Sequence, residues 1–242
     1  MPEAPRPHRP ALLLTCEHAG NTVPREFAHL FSGHDATLES HRGWDIGAHA
    51  LARGMARAAG APLIAHTITR LLVEVNRSPH HRALFSEFTR GLPKDEKARI
   101  VRTHYAPHRE RVEREIGAMG RGGRCVVLVG VHSFTPELGG EVRTADIGLL
   151  YDPKRALEKS FCHAWRDALR RVDPEQRVRM NYPYRGAADG FTTYLRSRFS
   201  PNRFLGIELE VNQRIALDGG EPWRRLQRTL SNTLAETLRS GA

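Results

Sequence analysis

Residues 125–134 read Cys125-Val126-Val127-Leu128-Val129-Gly130-Val131-His132-Ser133-Phe134, and they put a histidine at the end of an apolar run. The run is short, rich in β-branched residues and bounded by Gly123 and Gly130, which is the pattern of a fully buried strand. Open α/β sheets bind their ligands at the carboxyl ends of such strands. The beginning of the chain repeats the arrangement: Ala11-Leu12-Leu13-Leu14-Thr15-Cys16 runs into Glu17-His18-Ala19-Gly20-Asn21. Two strand-end histidines on one sheet suggest a metal site.

Working outward, strand patterns alternate with helical ones. A helical stretch is expected from Gly43 to Ala59, short strands at 63–66 and 71–75, and a surface excursion over 79–93. Lys94 to Met119 has helical spacing, 148–151 reads as a strand, and Lys154 to Arg171 as a helix. Val178-Arg179-Met180 reads as an edge strand, Phe204 to Val211 as a late buried strand, and Glu221 to Arg239 as an amphipathic helix. The expected fold is α/β, a single domain over residues 11–242. Its central sheet is mostly parallel or mixed, with helices on both faces. Residues 1–10, rich in proline, are expected as a disordered or extended tail.

Composition narrows the function classes. No stretch of about 18 or more apolar residues occurs, so a membrane span is not expected. The N-terminus lacks the apolar segment of a signal peptide, and three odd, widely spaced cysteines read as free thiols; both suit a cytoplasmic protein. The net charge of +10 comes from dispersed arginines, many beside acids, with no basic run interleaved with aromatics. A small anionic substrate is therefore the expected partner, with neither nucleic acid nor membrane. The sequence leaves monomer or homodimer open.

Within this frame His18 and His132 are the leading metal ligands, with hydrogen-bonded loop histidines as the alternative. A carboxylate would complete the set, either Asp45 at a helix start or Glu17. Strand alternation counts against Glu17, because neighbouring residues point to opposite faces. Glu208 and Glu210 share one face of the late strand. A buried glutamate there serves either as a general base or as an ion-pair partner. Arg70 and Arg77 flank the run 71–75, and a guanidinium fork can hold a carboxylate or a developing oxyanion. Either arginine can equally be a salt-bridged strand terminus.

Seven motifs in order resemble the N-formylglutamate amidohydrolase family. They are Thr15 to Pro24, His41-Arg42-Gly43-Trp44-Asp45-Ile46-Gly47, Arg70 through Arg77, Tyr105-Ala106-Pro107-His108, Val131 to Pro136, Asn181-Tyr182-Pro183-Tyr184 and Leu209-Glu210-Val211-Asn212. That family is similar to the zinc carboxypeptidases and to aspartoacylase-type amidohydrolases. The resemblance implies metal-dependent hydrolysis of an N-acyl acidic amino acid such as N-formylglutamate, within amino-acid catabolism of which histidine degradation is an example. It also implies one divalent ion, zinc foremost, with His18 and His132 among its ligands; Asp45 is the first choice for the third. Asn76, Arg77, Tyr184 and His108 become substrate-binding residues, Glu210 the base and Arg70 the oxyanion arginine. The carboxypeptidases carry a glutamate three residues after the first histidine; Asn21 stands there in this chain, so the carboxylate comes from elsewhere. The segment Cys16 to Asn21 also departs from the Pro-His-Ser-Gly pattern of the histidine-degradation enzyme. The chain thus resembles a divergent branch, whose reaction type transfers better than its substrate. Peptide trimming and a metal-free binding protein are the competing functions.

Overall fold

A computed structural model describes residues 9–240. Residues 1–8 of the expected tail lie outside the described residues, while Arg9 and Pro10 lead directly into the first strand.

In chain order the elements are β1 (Ala11–Cys16), α1 (Asp35–Glu39), α2 (Ala48–Ala59), β2 (Leu63–Ala65), α3 (Lys94–Ile100), α4 (Ala106–Met119) and β3 (Val126–Phe134). A small hairpin follows, β4 (Glu137–Leu138) and β5 (Glu141–Val142), then β6 (Ile147–Leu150), α5 (Ala156–Val172) and β7 (Val178–Met180). The chain continues through α6 (Phe191–Arg198), β8 (Phe204–Asn212), α7 (Gln213–Asp218) and α8 (Gly220–Ser240). A π turn over Val101–Tyr105 joins α3 to α4, so the expected helix 94–119 is one run with a wider turn inside it.

Six strands form a mixed sheet in the order β2-β1-β3-β8-β6-β7. β2, β1, β3 and β8 run parallel, and β6 returns antiparallel against β8 with β7 alongside it. From β1 the chain goes one way through α2 to β2, and later comes back to lay β3 on the other side of β1. The sheet therefore has a topological switch point between β1 and β3, where a crevice opens at the carboxyl ends.

Each central strand has two unlike faces. On one, Val127, Val129, Val131, Ile207, Leu209 and Val211 stay apolar to the strand ends and pack against α2, α5 and α8. The spacing of Ala48, Leu51, Ala52, Met55 and Ala56 gives α2 one apolar stripe for this layer, and Gly60, in the left-handed region at φ 61°, stops it. On the other face, Val126, Leu128 and Phe204 pack with Val112, Ile116, Phe191 and Leu195 of α4 and α6. That face turns polar towards the carboxyl end: Gly130 and His132 follow on β3, Glu208 and Glu210 on β8. The apolar half anchors the sheet and the polar half is left for chemistry.

Residues 71–75 correct an expectation. They are buried, but they form turns and not a strand. Their carbonyls find side-chain partners in place of a neighbouring strand: Ser86 Oγ donates to Leu71, Thr89 Oγ1 donates to Leu72 at 3.1 Å, and Arg109 Nη1 donates to Val75 at 2.9 Å. Glu74 N–H donates to the Leu84 carbonyl at 2.9 Å. The expected excursion 79–93 is thus the cover of this segment. With Phe27, Phe31, Ile100 and Tyr105 it builds a separate apolar cluster beside the sheet. The helix expected from Gly43 begins at Ala48, because Gly47 takes φ 85° and ends the preceding turn.

Candidate metal centre and adjoining cavity

Asp45 sits in the turn between α1 and α2, and its N–H donates to the His18 carbonyl at 3.0 Å. Gly43 makes that turn possible, since a Cβ there would lie 2.0 Å from the Leu38 carbonyl oxygen. The turn delivers the Asp45 carboxylate to the mouth of the switch-point crevice. His18 follows the end of β1, and His132 stands on β3 opposite Glu210 of β8.

The three side chains converge. Asp45 Oδ2 is 3.2 Å from His18 Nδ1 and 2.9 Å from His132 Nδ1. One ligand atom from each residue lies within 4.8 Å of the other two, and all three residues are buried. Two imidazoles and a carboxylate are the donors of catalytic zinc sites, which take three protein ligands and leave a position open. The two measured edges are close to the roughly 3.3 Å edge of a tetrahedron with bonds of about 2.0–2.1 Å. The donor set fits a divalent transition metal by number, kind and spacing.

Carboxylates surround the two rings. His18 Nε2 lies 2.6 Å from Glu74 Oε1, and His132 Nε2 lies 3.2 Å from Glu17 Oε2. Burial disfavours a charged imidazole, yet both histidines are more basic than usual, because Glu74 and Asp45 flank His18, and Asp45 and Glu17 flank His132. In the same way burial works against ionising Asp45 and Glu74, and the adjoining cations overcome it. His18 and His132 hold Asp45, and Arg70 with His18 holds Glu74, well below the usual carboxylate range. Arg70 ties the cluster together, with Nε donating to Glu74 Oε2 at 2.7 Å and Nη1 donating to Asp45 Oδ1 at 3.2 Å.

Beside this cluster opens a cavity of about 330 Å³, lined among others by Arg70, Asn76, Arg77, Tyr184, Glu208 and Glu210. Glu210 is 5 % exposed and its Oε2 is buried with no hydrogen-bond partner. Burial pushes its carboxyl up to about 8; His132 opposes this, and the Asp45 and Glu208 carboxylates add to it. Glu208, on the same face, accepts from Thr192 Oγ1 at 2.9 Å. Asn76 Oδ1 accepts from the Phe191 N–H at 2.9 Å, which ties the end of the 71–75 segment to α6. Arg77 Nη1 donates to the Asp189 carbonyl at 2.6 Å. Tyr184 stands at the exposed mouth, where its hydroxyl accepts from Arg143 Nη1 at 3.2 Å.

Of the nine residues given a metal-binding, substrate-binding or catalytic role from sequence, eight thus line this one cavity. His108 does not line the cavity: it lies behind Glu17, with Nε2 3.7 Å from Glu17 Oε1. Glu17 stands apart from the converging ligand trio and contacts the outer nitrogen of His132. Strand alternation does not apply to it, since β1 ends at Cys16 and both Glu17 and His18 lie in the following turn. Glu74 went unassigned, although a lone carboxylate in an apolar run, four residues after an arginine, was a usable signal.

The model of the N-formylglutamate amidohydrolase family matches residues 10–217 of the chain. Among curated proteins no sequence matches. Two crystal structures are similar over nearly their whole lengths. Gene product Atu2144 from Agrobacterium tumefaciens is 28% identical, with 96% of this chain and 92% of that chain covered and a TM-score of 0.81. An N-formylglutamate amidohydrolase from Ralstonia eutropha is 20% identical, with 98% and 97% covered and a TM-score of 0.68.

Proposed function

From its membership of the N-formylglutamate amidohydrolase family, to which this chain belongs, we propose that the protein is a metal-dependent amidohydrolase that cleaves N-acyl acidic amino acids, with N-formylglutamate the first substrate to test. The observation that carries this reading is the convergence of His18, Asp45 and His132 next to an unpartnered, buried Glu210.

His18, Asp45 and His132 would hold the ion, zinc being the first choice for two imidazoles and a carboxylate. When bound, a divalent ion supplies Lewis acidity to the amide carbonyl and to the attacking water. The chain's own residues do the rest. Glu210 Oε2 points at no protein donor, so it is available to take a proton from water and pass it to the departing nitrogen. A carboxyl held near neutrality suits that two-way role. Arg77, at the cavity wall, offers a planar fork to a substrate carboxylate, and Asn76 beside it is fixed by its bond to Phe191. Arg70 has its Nε and Nη1 engaged by Glu74 and Asp45, which orients it on the cavity wall where oxyanion charge would develop.

The test is hydrolysis of N-formylglutamate by metal-replete protein and by Glu210→Gln, with metal content measured in parallel. The variant should lose at least about 100-fold in turnover while keeping its metal, because the amide matches the size of the carboxylate and lacks its basicity. Undiminished turnover in the variant overturns the assignment of the base.

A further inference from the structure

His18 and His132 are held alike: each turns Nδ1 to Asp45 Oδ2 and presents Nε2 to a carboxylate of its own. The two outer carboxylates come from different parts of the chain, Glu17 from the turn after β1 and Glu74 from the buried turns beside the sheet. Both are nearly inaccessible, at 3% and 5% exposure. Glu74 is itself fixed, accepting from Arg70 Nε and from the Asn76 N–H at 3.0 Å. Glu17 is steadied from behind by His108, whose Nε2 is 3.7 Å from Oε1. Its Oε2 lies 3.2 Å from His132 Nε2, an ion-pair contact outside hydrogen-bond geometry, and has no hydrogen-bond partner. A buried carboxylate with so little other company is costly unless it has a partner or a task.

An imidazole that ligates a metal through one nitrogen commonly donates its other N–H to a carboxylate, which sets the tautomer, the ring orientation and the basicity of the ligand atom. We infer that Glu17 and Glu74 are positioning residues, one for each imidazole, which fix the proton on Nε2 and leave both Nδ1 atoms as the metal-binding donors. The inference rests on the metal reading proposed above. It assigns Glu17 a place outside the ligand set and explains why a charged residue adjoins His18 in a buried turn.

Two measurements test it on the full chain. Long-range ¹H–¹⁵N spectra of histidine-labelled, zinc-loaded protein report which ring nitrogen carries the proton; His18 and His132 should both be protonated at Nε2. Competition with a chromophoric chelator then gives zinc affinities for wild type, Glu17→Gln and Glu17→Asp. Both variants should bind about 10–100-fold more weakly, because one loses the charge and the other the reach. Ligation through Nε2 of either ring, or affinities in both variants within about threefold of wild type, overturns the inference and leaves the metal reading standing. If wild type takes up no metal, both fall together. The spectra of wild type decide the tautomers even when neither variant folds.

Discussion

Glu210 is where burial and chemistry conflict most openly, and the conflict can be measured without substrate. Its folded-state carboxyl is raised to about 8, whereas an unfolded glutamate titrates near 4.3. The folded state therefore binds this proton more tightly, so the residue lowers stability progressively as pH rises between those two values. In metal-free protein, Glu210→Gln should raise the thermal midpoint relative to wild type at pH 8, with the gap shrinking towards pH 5. A gap independent of pH contradicts the strained carboxylate. Arg77 makes a second prediction at this scale. Arg77→Ala should cost about 2–5 kcal/mol in kcat/KM for an N-formyl amino acid and little for the corresponding amide, and Arg77→Lys should recover little, since an ammonium cannot reproduce the fork. Equal losses on both substrates would make Arg77 structural, a role that its bond to the Asp189 carbonyl could fill.

At the level of elements, the site depends on how closely loops lie on strand ends. Gly148 of β6 shows this best: a Cβ there would come within 1.9 Å of the Tyr182 carbonyl oxygen and 3.3 Å of Glu210 Cβ. Gly148→Ala should push the loop carrying Tyr184 off the sheet. It should cost about 1–3 kcal/mol in denaturant unfolding, as overpacking does, and raise KM; an unchanged KM in a folded variant contradicts the loop's role at the cavity mouth. The same scale explains what was readable from sequence. β1, β3 and β8 announce themselves because each is a short apolar run buried on both faces, and His18, His132 and Glu210 are placed simply by lying at or near their carboxyl ends. The run 71–75 carries the same composition but hydrogen-bonds to Ser86, Thr89 and Arg109, and side-chain partners that distant leave no periodic trace. Glu74 carries a local signal as a lone carboxylate in that run, but its partner His18, 56 positions away, leaves none. The motif at Tyr105 to His108 gives His108 a position in sequence but not its place relative to the cavity, which it does not line.

Across the whole molecule, two apolar layers clamp the sheet, and the polar ends of β1, β3 and β8 come together where the strand order reverses. Among the described residues, no helix is long and apolar enough to cross a membrane. Among the described residues the fold assembles a buried trio of donors next to the partnerless carboxylate of Glu210, and the proposed chemistry requires that trio to hold a metal. The direct measurement is metal content by mass spectrometry of full-length protein loaded with zinc and dialysed, compared with His18→Ala and His132→Ala variants whose folding is checked by circular dichroism. Wild type should hold about one ion per chain and either folded variant almost none, since removing one of three protein ligands leaves too few to retain zinc. Metal-free wild type, or variants that keep a full complement, would contradict the proposed metal centre.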